Sequence, residues 1–271
     1  MRTRSQGGFA IWLLAAAVFG VVAWQETLVW RNLGEAALVS GYALLGAMAF
    51  LAIYNWRKRL SMVPVGAASG WFVLHTAVGI LALALFWLHI GGVWPQGGYE
   101  RLLTLLVYLV TATGLLGLLF QQVYPRRLYQ SGFEIIYERI PAEVARLREA
   151  ATQETLAAAE ASGNDTLATY YRDSLHWYFT RPRFFWSHAL GGRKAQHWLE
   201  GHLASVDRYV GDADRPHLDR LAELARRKTL VDLHYACQGL LKWWLFLHVP
   251  LAVGMVVLAL WHWLIVHIYL L

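Results

Sequence analysis

Five long apolar runs, at about 9–25, 36–54, 68–94, 102–120 and 243–269, punctuate the chain, and one long stretch of mixed polarity separates the fourth from the fifth. A hydrocarbon core of about 30 Å takes about 20 mostly apolar residues per helix, so each run reads as a membrane span and the chain as an all-α membrane protein. Trp24, Trp30, Trp56, Trp71, Trp94 and Trp243 stand near the ends of these runs, where amphipathic rings favour the headgroup region. The first run follows Met-Arg-Thr-Arg, as in a signal peptide, but no small-x-small cleavage site precedes Gln25, which favours a retained helix.

The chain divides accordingly into 1–124, with four transmembrane helices, an insert at 125–240, and a fifth transmembrane helix at 241–271. The insert gathers most of the acidic residues among arginines and reads as helical. Pro141 suits the first turn of a helix through EVARLREAATQETLAAAEA, which Ser162-Gly163-Asn164-Asp165 ends. Further helices are expected over 165–179 and 193–210, and Pro216 opens a fourth that runs directly into the last span. Gly191-Gly192 reads as a helix break, and neither GxGxxG nor GxxxxGK[ST] occurs in the insert, which argues against a nucleotide or flavin domain.

Composition supports the membrane reading: 57% of residues are hydrophobic and 15% charged, against about a quarter charged in ordinary soluble domains. The distribution of the charge adds an orientation. Arg2 and Arg4, then Arg57-Lys58-Arg59, then Arg126-Arg127 alternate with loops that hold only Arg31 or Arg101. Basic loops stay inside, so the N-terminus and the insert are expected on the cytoplasmic side of a bacterial inner membrane and the C-terminus outside. The net charge of +6 then reflects inner loops rather than a nucleic-acid surface. Cys237 is the only cysteine, which excludes an internal disulfide, a cysteine-held iron–sulfur cluster within this chain, and a CxxCH haem attachment.

Chemistry enters with two stretches of equal length. His75–His89 reads HTAVGILALALFWLH and His248–His262 reads HVPLAVGMVVLALWH, each with thirteen residues between its histidines and no other ionisable side chain. Fourteen helical residues turn about 1400°, some 40° short of four turns, so both histidines of a frame face one way about 21 Å apart. Two such helices side by side present two levels of paired imidazoles, and each level suits an iron porphyrin that takes one axial nitrogen from each side. Single membrane histidines often serve packing or hydrogen bonding, but two spans repeating one spacing is a joint feature that packing does not demand.

These frames resemble those of the di-haem membrane cytochromes b: the haem-bearing four-helix part of cytochrome b/b6 and, more loosely, the ferric-reductase and respiratory cytochrome b subunits. The resemblance covers about 36–124 and 240–271 and rests on His75, His89, His248 and His262. It implies two b haems and electron transfer across the membrane, commonly coupled to quinone. The chain departs from a self-contained ferric reductase in lacking flavin and nicotinamide motifs, which makes it an electron-transfer subunit of an oxidoreductase complex whose partner does the substrate chemistry. A haem-free histidine transporter or proton relay, and an anchor that recruits partners, are the alternatives.

His234 also stands fourteen residues before His248, but it lies among Arg226, Arg227, Lys228 and Asp232, outside the expected hydrocarbon core. Spans three and five run in the same direction if the insert does not cross, so His75 pairs with His248 and His89 with His262. Propionates need basic partners near an interface, and Arg57, Lys58, Arg59 and Lys242 on one side and Arg101 on the other are the candidates. Pro250 removes a helix hydrogen bond and either makes room for a macrocycle or is an ordinary membrane proline. Gly79 and Gly254 either admit a haem edge or allow close helix packing, and His267 either lines a quinone site or meets headgroups. The aromatic and charged run YYRDSLHWYFTRPRFFWSHALGG is expected to dock a redox partner, or else to form the insert's own core.

Overall fold

Apolar runs of this length cannot leave their backbone amides and carbonyls unpaired in lipid, and the helix is the local solution that pairs them all. The structure, a computed structural model, describes residues 2–56 and 68–270 and contains no strand among them. Ten α-helices follow in order: α1 Arg2–Arg31, α2 Ala36–Trp56, α3 Ala68–Ile90, α4 Gly98–Gln130, α5 Ile140–Ser162, α6 Thr166–Tyr170, α7 His176–Phe179, α8 Phe185–Leu190, α9 Lys194–Asp207 and α10 Arg215–Leu270. Five of them, α1 to α4 and α10, are long and apolar enough to cross a membrane. The chain forms two compact units, residues 1–118 with 244–271, and residues 119–243.

In the first unit, α1 packs on α2 and α3. Its core takes Leu44 and Met48 from α2, Ala82, Leu85 and Phe86 from α3, Val107 from α4 and Met255 from α10. Large apolar side chains also cover the outside, including Leu14, Val21, Val253, Val257 and Ile268, each more than half exposed. Around a protein in water such a belt would be an association surface, whereas around spans it is the face that lipid covers. Trp24, Trp30, Trp94 and Trp243 are likewise more than half exposed. The lysine and arginines at 57–59 lie outside the described residues.

The second unit is built on α5. Ile140, Val144, Leu147, Ala151, Thr155 and Ala158 are its buried positions, and their steps of three and four form one stripe. Pro141 sits in its first turn, and Gly163 ends it at φ 68°, a left-handed conformation that costs glycine nothing. The expected helix over 165–179 differs from what forms: α6 passes through a widened five-residue turn, Tyr171–Leu175, into α7. That turn brings Tyr171 and Leu175 into the core beside Tyr178 and Phe179. Most of the aromatic run expected to dock a partner therefore forms the core of this unit, and Trp177, Trp186 and Leu190 are its exposed large apolar members. The short helix α8, absent from the sequence reading, ends at Gly191 with φ 77°.

Residues 215–243 of α10 complete this core with Leu218, Leu221, Ala225 and Val231. Lys228 and Asp232 lie on the same buried stripe, and Lys228 Nζ donates to both Asp232 carboxylate oxygens at 2.8 and 2.7 Å and to the Arg181 carbonyl at 3.0 Å. Buried charges persist when they are paired and hydrogen-bonded in this way. The expected continuity of the fourth insert helix with the last apolar run is observed, since α10 is unbroken from Arg215 to Leu270.

Candidate functional site

Helix α3 carries His75 and His89, and α10 carries His248 and His262. His89 and His262 come together with ring centroids 6.4 Å apart and planes at 82°. His75 and His248 each stand fourteen residues before that pair on the same two helices. The two helices thus present like with like, as they must when they run in the same direction. Among the described residues no group of three or more His, Cys, Asp or Glu gathers at one point.

His89 and His248 are oriented by hydrogen-bonding neighbours. His89 Nδ1 lies 2.9 Å from the carbonyl of Ala37 on α2. A carbonyl only accepts, so Nδ1 carries the proton and Nε2 keeps its lone pair. Gly41 permits this approach, because a Cβ there would stand 3.0 Å from His89 Cε1. His248 Nδ1 lies 2.9 Å from the Thr113 hydroxyl, and that hydroxyl directs its own proton to the carbonyls of Leu109 at 2.8 Å or Val110 at 3.0 Å. With that proton on either carbonyl, Nδ1–H donates to the hydroxyl and Nε2 is left as the basic nitrogen. Trp244, one turn before His248, stacks on its ring at 5.5 Å and 19° and donates its indole N–H to the Thr113 carbonyl at 2.7 Å.

A cavity of about 360 Å³ opens at the His89/His262 level, lined chiefly by apolar side chains of α2, α3, α4 and α10. Its polar lining includes Tyr42, Glu100 and His267. His267 differs from the frame histidines in having both nitrogens engaged: Nδ1 donates to the Trp263 carbonyl at 2.9 Å, and Nε2 accepts from the Tyr42 hydroxyl at 2.6 Å. Tyr99 stacks near His262 at 6.0 Å and donates to the Leu258 carbonyl at 2.8 Å, tying α4 to α10. A Cβ added at Gly79 or Gly254 would meet nothing within 4 Å, so neither glycine serves a close helix contact.

The chain matches no family model, no curated protein and no solved structure. What the site can do is therefore argued from its geometry. Two imidazoles that shared one iron from opposite sides would place their ring centres about 6.2 Å apart, from metal–nitrogen bonds of about 2.0 Å and about 1.1 Å from nitrogen to ring centre. The 6.4 Å spacing and the apolar cavity beside it would fit an iron porphyrin held by His89 and His262.

The other candidates divide. Lys242 is ion-paired with Glu138 and sits 4.2 Å over the Tyr137 ring, and Arg101 donates to the Pro95 carbonyl at 3.3 Å. Arg57, Lys58 and Arg59 lie outside the described residues. His234 is buried in the second unit with both nitrogens occupied, by Gln238 at 3.0 Å and Ser131 at 3.3 Å. His202 stacks on Trp198 and His217 contacts Glu154 at 2.7 Å, so these serve packing and ion pairing. His188 is buried, its Nε2 has no hydrogen-bond partner among the described residues, and burial, aided by the charge of Lys228, lowers its pKa to about 4. Sequence reasoning missed Thr113, Ala37 and Gly41. Only Trp244 had a signal there, as an aromatic one helical turn before a frame histidine.

Proposed function

We propose that this chain is the electron-transfer subunit of a membrane oxidoreductase complex and holds two b haems, one between His75 and His248 and one between His89 and His262. The observation that carries this reading is the His89/His262 pair, 6.4 Å apart with the outer nitrogen of His89 tied to a carbonyl. Metal-ligating histidines almost always donate their second ring N–H in this manner, which fixes the tautomer and makes the ligating nitrogen more basic. An iron porphyrin held by these histidines would supply one-electron exchange.

The protein's own part is to hold and insulate. Ala37 and Thr113 keep two imidazoles aimed, and the leucines, valines and alanines between the frames exclude water. Arg57, Arg59 and Arg101 are the proposed propionate partners, whereas Lys242 is engaged by Glu138 in the second unit. Quinone is the proposed membrane-soluble exchange partner, supported by the Tyr42–His267 hydrogen bond at the cavity wall, where a proton donor and acceptor already meet. Positively charged loops support a bacterial inner membrane location with the N-terminus and residues 125–240 inside, where partner redox subunits would meet them.

The test is a dithionite-reduced minus oxidised absorption spectrum of the purified full chain, with pyridine haemochrome quantitation. Two b haems per chain are expected. A colourless, folded preparation would overturn the reading in favour of a haem-free transporter or proton relay.

A further inference from the structure

The two histidine levels are built alike on α3 and α10 but are held differently from α2 and α4. At one level a main-chain carbonyl, Ala37, takes the outer N–H of His89. At the other a side-chain hydroxyl, Thr113, takes that of His248. A carbonyl cannot be removed by substitution, whereas a hydroxyl can, so only the second level is tunable by one residue.

We propose, resting on the haem reading above, that Thr113 is a positioning residue that locks His248 in the Nδ1–H tautomer and thereby sets the reduction potential at the His75/His248 level. Three contacts converge on it. Its one hydroxyl proton has the Leu109 or the Val110 carbonyl within reach, an arrangement that turns a lone pair to His248 Nδ1. The Trp244 indole grips the Thr113 carbonyl from α10 while its ring stacks on His248. Gly114, the next residue, lies beside the same ring, where a Cβ would meet His248 Cε1 in ordinary contact at 3.5 Å. The hydroxyl and indole together fix both the rotation of the imidazole and the nitrogen it presents.

The consequence follows from ligand basicity. An accepted N–H bond pushes electron density onto the opposite nitrogen, and a more basic nitrogen favours ferric over ferrous iron. Removing the acceptor therefore raises the potential at this level alone. Valine keeps the size and branching of threonine without the hydroxyl, and serine keeps the hydroxyl without the methyl.

The experiment compares Thr113→Val, Thr113→Ser and the parent chain, purified whole in detergent, by haem quantitation and redox potentiometry. His248→Ala identifies which haem belongs to the level. Thr113→Val is expected to raise that haem's midpoint by about 59 mV, a tenfold change in its one-electron reduction equilibrium. Thr113→Ser should match the parent, and the other haem should not move. Loss of only that haem in the valine variant, with serine retaining it, would support the same role. If valine does not fold, Thr113→Ala carries the same comparison without added bulk. An unchanged potential with both haems bound would overturn the role of Thr113 and leave the haem reading standing, as would equal defects in the valine and serine variants. A parent chain without haem would overturn both.

Discussion

At the scale of single residues, the pairing of the four histidines makes the sharpest statement. His75→Ala and His248→Ala are expected to remove or perturb one and the same haem, and His89→Ala and His262→Ala the other, so difference spectra of the four variants sort into two classes. Four unrelated spectra, or a haem lost on His234→Ala with His262→Ala silent, would contradict the register. The frames were legible because a helix converts a spacing of fourteen into one face. Their supports were not, since Ala37 stands 52 positions from His89 and Thr113 135 from His248, and no local pattern connects them.

His188 gives a prediction in the second unit. Its pKa is lowered from 6.5 to about 4, first by burial and then by the charge of Lys228. The folded chain then binds its proton more weakly than the unfolded chain, so its contribution to stability is full above about pH 6.5 and is lost as pH falls toward about 4. The shift corresponds to at most about 3 kcal/mol. Thermal unfolding followed from pH 4 to 7 should show a flatter pH dependence in His188→Gln than in the parent.

Elements add a second level of specificity. Helices α4 and α10 approach closely where Gly117 faces Trp244, and a Cβ at Gly117 would overlap the indole ring. Gly117→Val is accordingly expected to cost about 1–3 kcal/mol through overpacking. Thermal midpoints in detergent check this, and the double change Gly117→Val with Trp244→Ala should recover part of the loss because the obstructing ring is gone. The five long helices were readable from apolar length alone, and so was α5, whose stripe and terminal Gly163 are local signals. The segment after it was misread as one regular helix. Its widened turn at Tyr171–Leu175 is set by the need to bury Tyr171, Leu175, Tyr178 and Phe179 together, a demand imposed by α5, α9 and α10 rather than by the segment itself.

For the molecule as a whole, burial of those aromatics leaves few large apolar side chains of that run exposed. Trp186 is 67% exposed and Leu190 78%, in the short helix α8 that the sequence reading did not contain. Trp186→Ser with Leu190→Ser is expected to slow reduction by native membranes severalfold while leaving dithionite reduction and haem content unchanged. Equal rates from the native donor would remove this face as a docking site. Membrane character, helical class, the unbroken run of α10 and the two histidine frames were determined by the sequence itself, because each depends on local length, composition or helical period. Tertiary structure alone decided what orients His89 and His248, where the cavity opens and which aromatics stay outside. Those outcomes depend on contacts between residues far apart in the chain, and side-chain packing, not local preference, selects them.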